Sequence, residues 1–211
     1  MKVFDITTTL RPEMPTWPGE PGPKREMIHS IASGAGANVS AFSMGSHTGT
    51  HIDAPYHFVE GGITVERLSI ETLVGPAVLL DIHGDEHVSA EQLEAAHLPT
   101  GTTRLLIRTR NTERQLLNRD TFDPTFIGIA KSGAEWLVNN GVKLVGVDYL
   151  SVEPYHNPGS PAHHTLLGAG LVAIEGCDFT SVAAGEYILI CAPLKMLGAD
   201  GAPARVYLIQ L

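Results

Sequence analysis

Cysteine, positive charge and long apolar runs are all scarce in this sequence, and each shortage removes a class of function. Only two cysteines occur in 211 residues, Cys177 and Cys191, with neither CxxC spacing nor the even-numbered framework of a disulfide scaffold. Both suit a reducing cytoplasm, and Cys191, inside the apolar run YILICA, reads as a buried structural thiol. Lys and Arg number 14 against 23 Asp and Glu, a formal charge of −9 that repels phosphate backbones and anionic membrane surfaces. Neither nucleic acid nor a membrane is an expected partner. No stretch of about 18 apolar residues is present to span a bilayer. The opening MKVFDITTTLRPEMP lacks an apolar run of signal-peptide length. The expected location is the cytoplasm.

What is present is enough for a packed core. Hydrophobic residues make up 43% and charged residues 18%, too apolar a balance for a disordered chain. The length fits one domain covering 1–211, with no repeat or linker to divide it. Five prolines between Arg11 and Lys24 forbid regular ladders there, so 12–24 reads as a Pro/Gly-rich arm. Short apolar runs rich in β-branched residues predict strands at 3–8, 39–44, 75–82, 104–109, 144–148, 171–175 and 186–192. Capping-box spacing predicts helix starts at Ser89, with Gln92 three residues on, and at Ser132, with Glu135. The second helix runs through SGAEWLVNNG straight into LVGVD, an αβ step that makes the class α/β, mixed α and β. The region 154–170 reads as a second long loop.

Ten histidines are present, and three fall within eleven residues of SHTGTHIDAPYHF: His47, His51 and His57, with Asp53 between the last two. A helix would place Asp53 nearly opposite the histidines, and Gly49 and Pro55 disfavour one. In an extended chain, a period of two puts 47, 51, 53 and 57 on one side. Full extension would still leave the His47 and His51 α-carbons roughly 13 Å apart, so the chain must bend, and Gly49 is placed to do it. Neutral imidazole nitrogens and a carboxylate are the donors a catalytic divalent ion takes, with water completing the set. His57, past the rigid Pro55, is placed beside such an ion as an acid/base group.

The string HTGTHIDAPYH resembles the signature of the cyclase-like metal hydrolases, a family that includes the bacterial kynurenine formamidases (arylformamidases). The resemblance extends to Trp17-Pro18-Gly19, to Ser151–Pro154, to the stretch HHTLLGAG and to Gly198–Arg205. It implies an α/β domain of that family's own type, usually a homodimer, with one or two divalent ions, zinc or manganese. It implies His47, His51 and Asp53 as ligands, with Asp53 able to bridge to a second ion, and His57 as proton donor and acceptor. A histidine twelve residues before a glutamate implies His163 and Glu175 as further ligands, with His164 the neighbour that competes with His163. Trp17 matches an aromatic position lining the substrate site; it reads equally well as an anchor for the arm.

The implied reaction is hydrolysis of a small amide, an arylformamide such as N-formylkynurenine, by metal-activated water. Departures from the formamidase pattern at Gly49-Thr50-His51 and in DYLSV leave the substrate open. A cyclic amide of the isatin type is the alternative within the family. Outside it stand a non-haem iron oxygenase, from His51, Asp53 and His163, and a metal-binding protein without catalysis. His29, His83, His87, His97 and His156 have no partners at ligand spacing.

Overall fold

The computed structural model describes residues 1–210. Ten strands form: β1 (Lys2–Asp5), β2 (Lys24–His29), β3 (Val39–Ser43), β4 (His51–Asp53), β5 (Val74–Asp81), β6 (Arg104–Arg108), β7 (Leu144–Val147), β8 (Val172–Glu175), β9 (Gly185–Pro193) and β10 (Gly201–Gln210). Five helices interrupt them: α1 (Ile70–Leu73), α2 (Ala90–Ala95), α3 (Arg110–Glu113), α4 (Lys131–Asn139) and α5 (Pro161–Gly168). The order β10-β4-β8-β7-β6-β5-β9 closes on itself where β9 pairs with β10, giving a seven-stranded barrel with β1 attached to β10. β5 through β8 run parallel, and the remaining barrel pairs are antiparallel. Closure removes the exposed edges that a sheet of this length would otherwise present.

Strand alternation sorts the apolar runs between two cores. Leu106, Leu144, Val172 and Ile174 point into the barrel with Ile52 and Ala202. Their neighbours Leu105, Ile107, Val145, Val147 and Ala173 point outward, where Leu93, Ala134, Leu137, Ala162 and Leu166 of the helices cover them. Burial on both faces explains why these strands read as unbroken apolar runs. Gly146 faces a crowded interior, where a Cβ would stand 2.4 Å from Leu106 Cδ2.

The capping box at Ser89 forms in full, with Gln92. The one expected at Ser132 does not: α4 starts at Lys131 after Ala130, and Ser132 Oγ instead accepts from the Ala90 amide at 3.4 Å, tying α4 to the start of α2. The region expected as a loop at 154–170 contains α5, opened by Pro161 at a position where its missing N–H costs nothing. Three strands fall outside those expected: β2, whose residues are all exposed, the three-residue β4 within the extended histidine segment, and β10, whose buried residues alternate along RVYLIQ.

Candidate metal centre

β4 lies between β10 and β8, and register does the positioning. His51 is the Cα partner of Glu175, and Asp53 that of Gly201. Gly49, at φ +69°, supplies the bend that returns His47 over the strand; a Cβ there would meet Leu10 Cδ2 at 2.7 Å. Gly201 makes room for the returning ring, since a Cβ on it would lie 2.5 Å from His47 Cε1. A 3-10 turn at Pro55–His57 then folds His57 back, its ring stacked on that of His47 with centroids 4.0 Å apart. Glu175 ends β8, and its Oε1 accepts from the Val152 amide at 2.7 Å. His163, on the first turn of α5, completes the gathering.

His51 Nε2 lies 3.5 Å from Asp53 Oδ1 and 3.3 Å from Glu175 Oε2. His163 Nε2 lies 3.5 Å from Asp53 Oδ2 and 3.4 Å from Glu175 Oε1. Donors at 2.0–2.1 Å from a tetrahedral ion stand roughly 3.4 Å from one another, so these gaps are those of a ligand shell rather than of hydrogen bonds. The buried atoms His51 Nε2 and Asp53 Oδ2 make no hydrogen bond at all, an expense proteins rarely tolerate without a further partner. A divalent cation fits both observations. His51, Asp53 and Glu175 offer atoms within 4.8 Å of one another, and His47, Asp53 and His57 form a second such set sharing Asp53.

The charges are arranged accordingly. Burial alone would lower the histidine pKa values, but Asp53 and Glu175 outweigh it at His51, holding it at about 10. At His47 burial is likewise overcome by Asp53, and by Asp200, which raise it to about 8. His163 is raised well above its ordinary value, again against burial, by Asp53, Glu153 and Glu175. Burial would raise Asp53, yet the neighbouring imidazoles of His163, His47 and His51, of which His47 Nδ1 is hydrogen-bonded to its Oδ1 at 2.7 Å, keep it well below the usual range. His57 goes the other way: burial dominates and lowers it. It is the imidazole of this group most ready to be neutral and to accept a proton.

Above the cluster opens a cavity of about 260 Å³ whose lining includes His57, His163 and Glu175. Trp17, Phe58, Leu150 and Tyr155 supply its apolar surface. Trp17 sits edge-on to Phe122 and Tyr155, each at 5.4 Å, so it both lines the cavity and anchors its own segment.

All seven residues singled out in the sequence therefore meet in one place: His47, His51, Asp53, His163 and Glu175 at the centre, His57 beside them and Trp17 on the wall. His164 is exposed, whereas His163 is buried. His87 accepts from the Gly128 amide at 3.2 Å, away from the cluster. Three further side chains take part. Asp200 Oδ2 lies 2.8 Å from His47 Nε2 and 3.6 Å from His57 Nδ1. Phe58 stacks flat on His163 at 4.3 Å, and Glu153 holds the start of α5. Asp200 and Glu153 lie in motifs already noted, but nothing local in either motif indicates a contact with a distant histidine.

Comparison with known proteins gives a consistent set of likenesses. Residues 4–154 match the family described as "Putative cyclase". The chain is 38% identical over 216 residues to Cyclase-like protein 3 of Arabidopsis thaliana, covering 99% of this chain and 80% of that protein. It is 35% identical over 211 residues to the kynurenine formamidase of Maricaulis maris strain MCS10, covering 100% and 99%. A solved structure described as "The Structure Of Potential Metal-Dependent Hydrolase With Cyclase Activity" superposes with a TM-score of 0.84. It is 36% identical, over 98% of this chain and 96% of that one.

Proposed function

The chain belongs to the cyclase family, and from that premise we propose that it is a metal-dependent hydrolase of small aryl amides, with an arylformamide such as N-formylkynurenine as substrate. The observation that carries this reading is the ligand-like spacing of His51, Asp53, Glu175 and His163 beneath an aromatic-walled cavity. Glu175 brings a second carboxylate, which favours hydrolysis over the two-histidine, one-carboxylate oxygenase pattern.

His51, Asp53, His163 and Glu175 would hold one ion, and His47 with the shared Asp53 would complete the site or hold a second. Zinc or manganese suits the mixed nitrogen and oxygen donors. A divalent ion supplies Lewis acidity, polarising a carbonyl and lowering the pKa of water from 15.7 toward about 7. Trp17 and Tyr155 present flat apolar surface to the aryl ring. His57, kept neutral by burial, takes a proton as the water oxygen bonds to the formyl carbon. It returns that proton to the nitrogen as the C–N bond breaks, releasing formate and an aryl amine. Proton transfer of this kind contributes about 10²–10⁴-fold.

The pairing of β1 with β10, Lys2 opposite Gln210, supports one domain over the whole length. The β2–β3 hairpin exposes Met27, Ile28, Val39 and Phe42. Two strands alone are marginally stable, so we read the hairpin as covered by a second copy in a homodimer. Two buried unpaired cysteines suit the cytoplasm, and among the described residues no helix is long and apolar enough to cross a membrane.

The test is a side-by-side assay of metal-loaded protein on N-formylkynurenine and isatin. Formate release at the higher kcat/KM supports the formamidase reading. Faster ring opening of isatin moves the assignment to cyclic amides, and turnover of neither refutes both.

A further inference from the structure

His163 has two ring nitrogens, and both sides of its ring are accounted for by carboxylates. Nε2 faces Asp53 and Glu175. Nδ1 is buried, makes no hydrogen bond, and points toward Glu153 Oε2 at 3.7 Å. Glu153 is itself 4% exposed and fixed. Its Oε1 accepts from Asn157 Nδ2 at 2.5 Å, and its Oε2 accepts from the Ala162 and His163 amides at 2.8 and 3.0 Å. The same carboxylate thus grips the backbone that carries His163 and stands before the ring's outer nitrogen. Phe58 lies parallel to that ring at 4.3 Å, with 7° between the planes. Stacking restricts tilting of the ring, so Nδ1 is held on the side where Glu153 stands.

We propose that Glu153 is a positioning residue that keeps the His163 proton on Nδ1 and the Nε2 lone pair aimed at the ion between Asp53 and Glu175. This rests on the reading of His163 as a ligand. A ligating histidine ordinarily gives its second N–H to a carboxylate or carbonyl, which fixes the tautomer and makes the ligating nitrogen more basic. His51 shows the same logic with a different acceptor, its Nδ1 lying 2.9 Å from the Gly49 carbonyl oxygen. Without Glu153 the buried imidazole has no strong acceptor to hold its proton on Nδ1, and a proton on Nε2 would take that nitrogen out of the ligand set.

The simpler alternative is that Glu153 only satisfies the first amides of α5. Four proteins separate the two: wild type, Glu153→Gln, His163→Ala and the double variant. Zinc affinity is measured for each by competition with a chelator, and the thermal midpoint is taken on the chelated proteins. Glu153→Gln keeps an acceptor for the amides while removing the charge. The expected result is a loss of about 10–100-fold in zinc affinity for Glu153→Gln, with no further loss when it is added to His163→Ala. A purely structural Glu153 would lower the midpoint of the chelated protein and leave zinc affinity unchanged, which overturns the proposal. Equal losses in both backgrounds also overturn it, because Glu153 would then act without His163. If His163→Ala itself binds zinc like wild type, the ligand reading fails first and takes this inference with it. Should Glu153→Gln not fold, Glu153→Asp takes its place in the cycle, and wild-type protein with ¹⁵N-labelled histidine and bound cadmium tests the tautomer directly. A proton on His163 Nδ1 and cadmium coupling on Nε2 are expected, and the reverse assignment overturns the proposal.

Discussion

His51 and Glu175 stand directly opposite each other across the antiparallel pair of β4 and β8, with Nε2 and Oε2 3.3 Å apart. Sheet register alone unites the histidine segment with a carboxylate from the far half of the chain. Both side chains are buried, so the contact sits in a low-dielectric setting where its electrostatics are strong. The expected behaviour of the site follows from this pairing and from what surrounds it.

His57 is placed to move protons. The proposed division of roles has His57→Ala retaining metal, since His51, Asp53, His163 and Glu175 remain, while kcat falls by about two to four orders of magnitude. Elemental analysis and kcat on one preparation decide it. Because His57 also stands within reach of His47 and Asp53, a metal-depleted variant would make it a ligand instead.

The pH dependence has opposite signs with and without metal. Burial would lower His47 and His51, but the neighbouring carboxylates hold them at about 8 and about 10, above the ordinary 6.5. Raised folded-state values give stability that is complete below 6.5 and is lost as pH climbs through 8 and then 10. Chelated protein should therefore lose stability across that window. Metal needs the same imidazoles free of protons, so its affinity should rise over it, with protons released on binding. Thermal midpoints of chelated and zinc-loaded protein, compared near pH 6.5 and pH 9, should diverge as pH rises; a constant gap speaks against this competition.

Asp148 is a structural carboxylate at the end of β7. It accepts from the amides and hydroxyls of both Thr109 and Thr112 and from Asn111 Nδ2, and it is 1% exposed. Asp148→Ala strands several buried donors, and should cost about 3 kcal/mol or more in a urea titration. A cost below about 1 kcal/mol would mean that water readily replaces the carboxylate.

Trp17 separates substrate binding from chemistry. Trp17→Leu removes aromatic wall but touches no proposed ligand, so KM for an aryl amide should rise several-fold while metal content stays whole. Unchanged KM would leave Trp17 as an anchor for its segment through Phe122 and Tyr155.

Much of this is legible in the sequence. Five barrel strands, β5 to β9, announce themselves as apolar runs, β6 to β8 because both their faces are covered, and α2 does so through Ser89 and Gln92. The histidine segment carried its chemistry in spacing, and the bend at Gly49 follows from how far an extended chain separates His47 and His51. What stayed hidden was set by distant contacts. β4 is three residues long and owes its existence to β8 and β10. Ser132 looked like a cap and instead bonds to α2, while α5 was obscured by the prolines and glycines that precede it. Asp200 and Glu153 reach His47 and His163 only through the closed barrel and the placement of α5.

The most direct test of the central claim is arylformamide turnover on protein stripped of metal by chelation, with elemental analysis confirming removal, then after zinc or manganese is added back. His51→Ala, which deletes a buried donor, runs alongside. Turnover should fall with metal content, return on reconstitution in wild type, and fail to return in His51→Ala. Undiminished hydrolysis by verified metal-free protein, or full metal retention in His51→Ala, would contradict the assignment of this cluster as a metal-dependent hydrolytic centre.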